Sequence, residues 1–122
     1  MENKNFIKVI AIIKIDPAQR QNFENMMGDL KKVVAGEGKD KVLTYDCYFK
    51  DQDSGEGLII ETYSDETAFL NHLELIKPVS AQYNISMDVL NLSIAGRLPN
   101  AVLQLFSTIY KDKFVNYGCH LG

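Results

Sequence analysis

A net charge of −3 over 122 residues, with 46% hydrophobic and 24% charged side chains, describes one globular domain and excludes a broad basic surface for nucleic acid. No apolar run approaches the ~20 residues that a membrane helix needs. The opening Met1-Glu2-Asn3-Lys4-Asn5 lacks the basic segment, apolar stretch and small-residue cleavage site of a signal peptide, so the expected location is cytoplasmic, with Cys47 and Cys119 as free thiols.

Phe6 to Ile15 is rich in β-branched residues and apolar on both faces at its centre, the pattern of a strand covered on both sides. Asp16-Pro17 stops it and opens a helix, with Asp16 as N-cap, Pro17 at the first helical position and Gln19 closing a capping box. Phe23, Met26, Met27, Leu30, Val33 and Val34 recur at helical spacing, and Gly36 and Gly38 end that helix. Val42 to Lys50 reads as a second strand, with Leu43, Tyr45, Cys47 and Phe49 on one face. The polar run from Asp51 to Gly57 is a hairpin connection to a third strand, Leu58 to Tyr63.

Ser64 or Asp65 caps a second helix, which Lys77-Pro78 breaks or kinks; a short helical turn is expected over Val79 to Ile85. Met87 to Ala95 is a fourth strand. A short helix is expected around Ala101 to Phe106, then a strand-like run from Thr108 to Tyr117. The order βαββαβ is the ferredoxin-like split βαβ pattern with an antiparallel sheet, so the expected class is α+β. The core spans about residues 6–97, and 98–122 form a helix-strand extension.

Both helices of such a fold pack on one sheet face. Here the other face carries apolar residues, and a bare apolar sheet is an association surface. The expected solution is a homodimer with sheets packed face to face, the extension either adding a strand to the partner's edge or folding back over its own sheet.

On the second helix Phe69, His72, Leu73 and Ile76 share one stripe, which places His72 on an otherwise apolar face. A titratable group there is either a satisfied core histidine or part of a pocket. Two cysteines and two distant histidines do not make a metal-site spacing.

The strand end Glu61-Thr62-Tyr63, the cap Ser64-Asp65-Glu66 and the helix Ala68-Phe69-Leu70-Asn71-His72-Leu73 resemble the antibiotic biosynthesis monooxygenase family of dimeric α/β barrels. Ile13-Lys14-Ile15-Asp16-Pro17 and Ala95-Gly96-Arg97-Leu98-Pro99 fit the same family, and the resemblance runs from about Phe6 to Tyr117. It implies a homodimer with a pocket in each subunit between helices and sheet. It also implies a monooxygenase that works without a bound cofactor on a small aromatic, phenolic or quinol-type molecule. The family includes heme-degrading members and members without a known function. The chain departs from the family pattern in three places: it has no Trp, no Asn in Phe6 to Ile15, and no second histidine after Lys77-Pro78.

Within that resemblance His72 is the candidate general base, taking a proton from an acidic phenol or enol. Glu61 would orient His72 or bind a substrate hydroxyl; otherwise it pairs across the dimer, with Arg97 as the candidate cation. Tyr45, Tyr48 and Tyr63 are candidates for an aromatic wall that donates hydrogen bonds. Asn91 either reaches the pocket or bonds locally. Cys47 reads as a small buried apolar residue. The alternatives to an enzyme are a dimeric protein that holds a small apolar ligand without turnover, and a heme protein with His72 as the iron ligand.

Overall fold

A computed structural model describes residues 5–121; Met1 to Lys4, part of the run that lacks a signal-peptide pattern, and Gly122 lie outside them. The first strand, β1 (Ile7–Ile15), alternates strictly: Ile7, Val9, Ala11, Ile13 and Ile15 are buried and the even-numbered residues are exposed. The side-chain period of two therefore gives it one face under the helices and one open apolar face.

Asp16 Oδ1 accepts from the Ala18 amide at 3.0 Å and caps a 3₁₀ turn, Pro17–Gln19, which leads into α1 (Arg20–Glu37). Gln19 does not close the expected capping box; its side-chain oxygen accepts from Asn22 Nδ2 at 3.2 Å instead. Phe23 and Leu30 are the fully buried residues of α1. Gly36 lies within the helix, and Gly38, at φ 103°, turns the chain out of it.

The hairpin strands are β2 (Val42–Phe49) and β3 (Glu56–Tyr63). Arg20 holds their connection against α1: its Nη1 donates to the carbonyls of Asp51, Gln52 and Ser54, each at 3.0 Å, and its guanidinium lies 3.8 Å from the Phe49 ring centroid.

Asp65 is the cap of α2 (Glu66–Ser80), accepting from the Ala68 amide at 2.8 Å. Pro78 does not break this helix. It falls in the last turn, where the missing N–H costs a single terminal hydrogen bond, so the expected separate turn over 79–85 is partly absorbed into α2. The Tyr83 hydroxyl donates to Asp29 and ties the end of α2 to α1.

After β4 (Met87–Ala95), α3 (Asn100–Tyr110) is longer than the expected Ala101 to Phe106, and β5 (Phe114–Tyr117) is correspondingly shorter. The β-branched Thr108 and Ile109 read locally as strand. The pairing of Phe106 with Tyr110 one turn on, ring centroids 5.9 Å apart, draws them into the helix.

The five strands form one sheet in the order β2-β3-β1-β4-β5, which contains the ferredoxin-like arrangement. The sheet is mixed rather than antiparallel throughout. β5 runs parallel to β4, because the helical crossover α3 returns the chain to the same end of the sheet. The extension thus adds its strand to the edge of its own sheet. A bulge between Ile12 and Ile13 sets Val89 opposite Ile13 and Asn91 opposite Ile12. Phe6, Ile10, Ile12, Tyr48, Leu58, Val115 and Tyr117 are exposed large apolar residues, and the ladders put the strand members of this set on the open face.

Candidate functional site

Strand register brings the polar residues of the helix-covered face together. Tyr63 pairs with Ile7, Glu61 with Val9 on one side and Tyr45 on the other, so all three look towards α1 and α2. His72 reaches the same space from α2, where Phe69 and Ala68 bury the preceding turn. The imidazole is 1% exposed and lies against both tyrosines, with ring centroids 5.1 Å from Tyr45 and 5.2 Å from Tyr63.

Its hydrogen-bond partner is Glu37. Nδ1 lies 2.8 Å from Glu37 Oε1, and the two side chains are 1% and 3% exposed. With a Glu37 oxygen as acceptor, the tautomer that satisfies this contact carries its hydrogen on Nδ1, which leaves Nε2 as the ring nitrogen that Glu37 does not engage. Nε2 is buried and has no hydrogen-bond partner among the described residues. Glu61 is not the group that orients His72. It accepts from the Tyr63 hydroxyl at 2.6 Å.

Glu61 is the second carboxyl group of this buried space. Burial holds the Glu61 carboxyl above the usual range; the Tyr63 hydrogen bond and nearby His72 pull it down, and Glu37 pushes it up. Burial, with Glu61 next, also raises Tyr45 and Tyr63 far above an ordinary phenol, so both stay neutral donors.

Four of the expected residues, His72, Tyr45, Glu61 and Tyr63, thus form one cluster. Asn91 does not join it. With Ile12 as its cross-strand neighbour it faces the open side of the sheet, where its Oδ1 accepts from Ser93 Oγ at 3.1 Å. Tyr48 also lies on the open side and is exposed. Glu37 was not anticipated, although a signal existed: it follows Phe23 and Leu30 at a spacing of seven and so continues the buried stripe of α1.

His72 lines none of four clefts on the surface. The nearest along β2 is a groove of about 340 Å3 between α1 and the sheet edge, which includes Cys47, the next residue after Tyr45 on the same face. Burial pushes the Cys47 thiol up to about 11, with Arg20 and Lys31 opposing and Glu61 adding. A heme bound through Nε2 would need a cleft beside His72, and none of these four provides it.

No protein-family model matches the chain, and no curated protein matches it significantly. Solved structures do. MupZ from Pseudomonas fluorescens aligns over 97% of this chain and 93% of its own, at 17% identity and a TM-score of 0.72. A Caulobacter crescentus protein that bears the name antibiotic biosynthesis monooxygenase aligns over 79% of this chain and 92% of its own, at 20% identity and a TM-score of 0.60. A Bacteroides thetaiotaomicron protein of the same name gives 79% and 90%, 19% identity and 0.58. The fold is therefore that of the antibiotic biosynthesis monooxygenases, as the sequence resemblance implied. A match over 97% of the chain must include α3 and β5, so MupZ shares the extension as well.

Proposed function

We propose that the chain is a cofactor-independent monooxygenase of a small aromatic, phenolic or quinol-type molecule, with His72 as the general base. The observation that carries this reading is the state of the imidazole: Nδ1 is occupied by Glu37, and Nε2 is buried, unpartnered and held between two tyrosine rings. A fixed base in an apolar site removes a phenolic or enolic proton at neutral pH. The resulting anion is electron-rich enough to react with dioxygen directly. On a ring carbon bearing two hydrogens, addition of O2 and loss of water leave a carbonyl, and the electrons balance without an external reductant. Tyr63 already donates to Glu61, which leaves Tyr45 to stabilise the developing oxyanion.

The active form in this reading is a homodimer joined through the open sheet face. Ile10 is 45% exposed there and Tyr117 61%, on a surface that water covers at a cost of roughly 25 cal/mol per Å2. The second reading, a dimer that binds a small ligand without turnover, is favoured by one observation: His72 lines none of the four clefts described above, whereas the groove beside Cys47 is open without it.

Oxygen uptake with a panel of quinols and hydroxylated aromatics separates the two. Turnover above the buffer rate is expected. His72→Asn, which keeps a donor towards Glu37 but deletes Nε2, should lower it at least about a hundredfold. Uptake at the buffer rate across the panel rejects the enzyme reading, and full activity in His72→Asn rejects His72 as the base.

A further inference from the structure

We infer that the groove between α1 and β2 is a binding site for a planar aromatic anion, such as an arene carboxylate. This concerns the groove itself and holds whether or not His72 turns substrate over.

The groove encloses about 340 Å3, within the range of roughly 300–1,000 Å3 typical of small-molecule pockets. Its floor is aromatic. Phe23 and Phe49 meet edge to face, centroids 5.4 Å apart and planes at 88°, and Met27 adds a polarisable side chain. Such a floor suits a flat ring.

The charges select the sign of the ligand. Arg20 and Lys31 line the groove with one carboxylate, Glu24, which is taken up by Arg20 at 3.2 Å. Lys31 makes no ion pair among the described residues, so the groove carries an uncompensated positive charge. Arg20 also carries a donor whose hydrogen bond is unmet. Its Nε is close to Glu24 but not aligned for a hydrogen bond, and it is a buried donor without a partner.

Gly28 leaves the groove open. It sits inside α1, where glycine has no conformational need to be, and a Cβ placed on it would meet nothing within 4 Å. A glycine in a helix interior is destabilising relative to Ala. The space it frees is consistent with that cost being retained for a ligand. The groove lies on the helix side of the sheet, so face-to-face pairing through the opposite side leaves it accessible.

The test is amide NMR of the full chain titrated with 2-naphthoate and, separately, with uncharged 2-naphthamide. Shifts centred on Gly28, Lys31 and Cys47 are expected with the acid, and binding of the amide at least about tenfold weaker. Gly28→Leu fills the groove with a better helix former, so its Tm should be unchanged or higher while affinity falls tenfold or more. Lys31→Gln should abolish the preference for the acid. Shifts centred instead on Ile10, Ile12 and Leu58, no shifts at millimolar ligand, or wild-type affinity in Gly28→Leu each overturn the assignment. Equal binding of acid and amide by the wild type overturns the choice of an anion.

Discussion

Glu37 at the end of α1 and His72 midway along α2 meet at 2.8 Å although 35 positions separate them in the chain. Neither side chain touches solvent appreciably, so each is the other's replacement for water. Removing one member leaves the other buried without a partner.

That asymmetry makes His72→Ala expensive. It strands the Glu37 carboxylate and opens a cavity, and the expected loss is about 3–5 kcal/mol. The double variant His72→Leu/Glu37→Leu should recover much of it, because no charge remains to be satisfied. Urea denaturation measures both. A loss below about 1 kcal/mol for His72→Ala would show that water replaces the imidazole and that the space is not dry.

Glu61 gives the opposite dependence on pH from a typical salt-bridged carboxylate. Its folded value is raised, so above the unfolded value of 4.5 the folded state holds a proton that the unfolded state has lost. Stability then falls as pH rises through the window between the two values. Glu61→Gln keeps an acceptor for Tyr63 and removes the titration. It should match the wild type near pH 4 and exceed it near pH 7. Parallel stability curves over that range would mean that Glu61 ionises as an exposed carboxyl does.

Tyrosine ionisation offers a spectroscopic check on the same cluster. Of the six tyrosines, Tyr45 and Tyr63 are raised by burial well beyond an ordinary phenol. In an alkaline titration followed in the ultraviolet, these two should ionise only as the fold is lost, and stability should decline above about pH 10, where the unfolded chain releases protons the folded chain retains. Single variants Tyr45→Phe and Tyr63→Phe should each remove one late-ionising group. Reversible ionisation of all six in the folded protein contradicts the enclosure of this site.

Assembly is tested on the other side of the sheet. Light scattering at micromolar concentration should give twice the chain mass of 13.8 kDa. Ile10→Lys, at a position 45% exposed on the open face, should yield a folded monomer with unchanged circular dichroism. Deletion from Leu98 onwards tests the extension separately: if β5 serves only its own sheet edge, the truncated chain still dimerises. A wild-type monomer rejects the interface.

The βαββαβ order was legible because each strand and helix carries its own period, and α1 and α2 each announce one buried stripe. The His72 cluster was half legible for the same reason: alternation puts Glu61 and Tyr63 on one face of β3, while Tyr45 joins them only through the β2–β3 register. Glu37 was hidden by its neighbours. Gly36, Gly38, Lys39, Asp40 and Lys41 read as a solvated turn, and only the heptad step from Leu30 marks Glu37 as inward. Asn91 shows the complementary limit. Alternation groups it with Ser93 and Ala95, but which of two faces lies under the helices depends on long-range pairing with β1 and on a bulge that no local pattern announces. Thr108 and Ile109 went to α3 because the pairing of Phe106 with Tyr110 across that helical turn outweighs a β-branched preference.

The central position of β1 also sets an order of events during synthesis. β1 precedes both strands that flank it, and its partners run from Tyr63 back to Glu56 and from Ala95 back to Met87. At ribosomal rates of about 5–20 residues per second, an apolar segment of high β-propensity waits several seconds for its ladder. Lys8 and Lys14, the charged residues near its two ends, are placed where gatekeepers against strand-to-strand stacking are found. Replacing both with Thr should leave the folded protein's stability little changed yet raise the insoluble fraction on expression; equal solubility would deny them that role. On the first outcome the two lysines act before residue 95 has emerged rather than in the finished molecule.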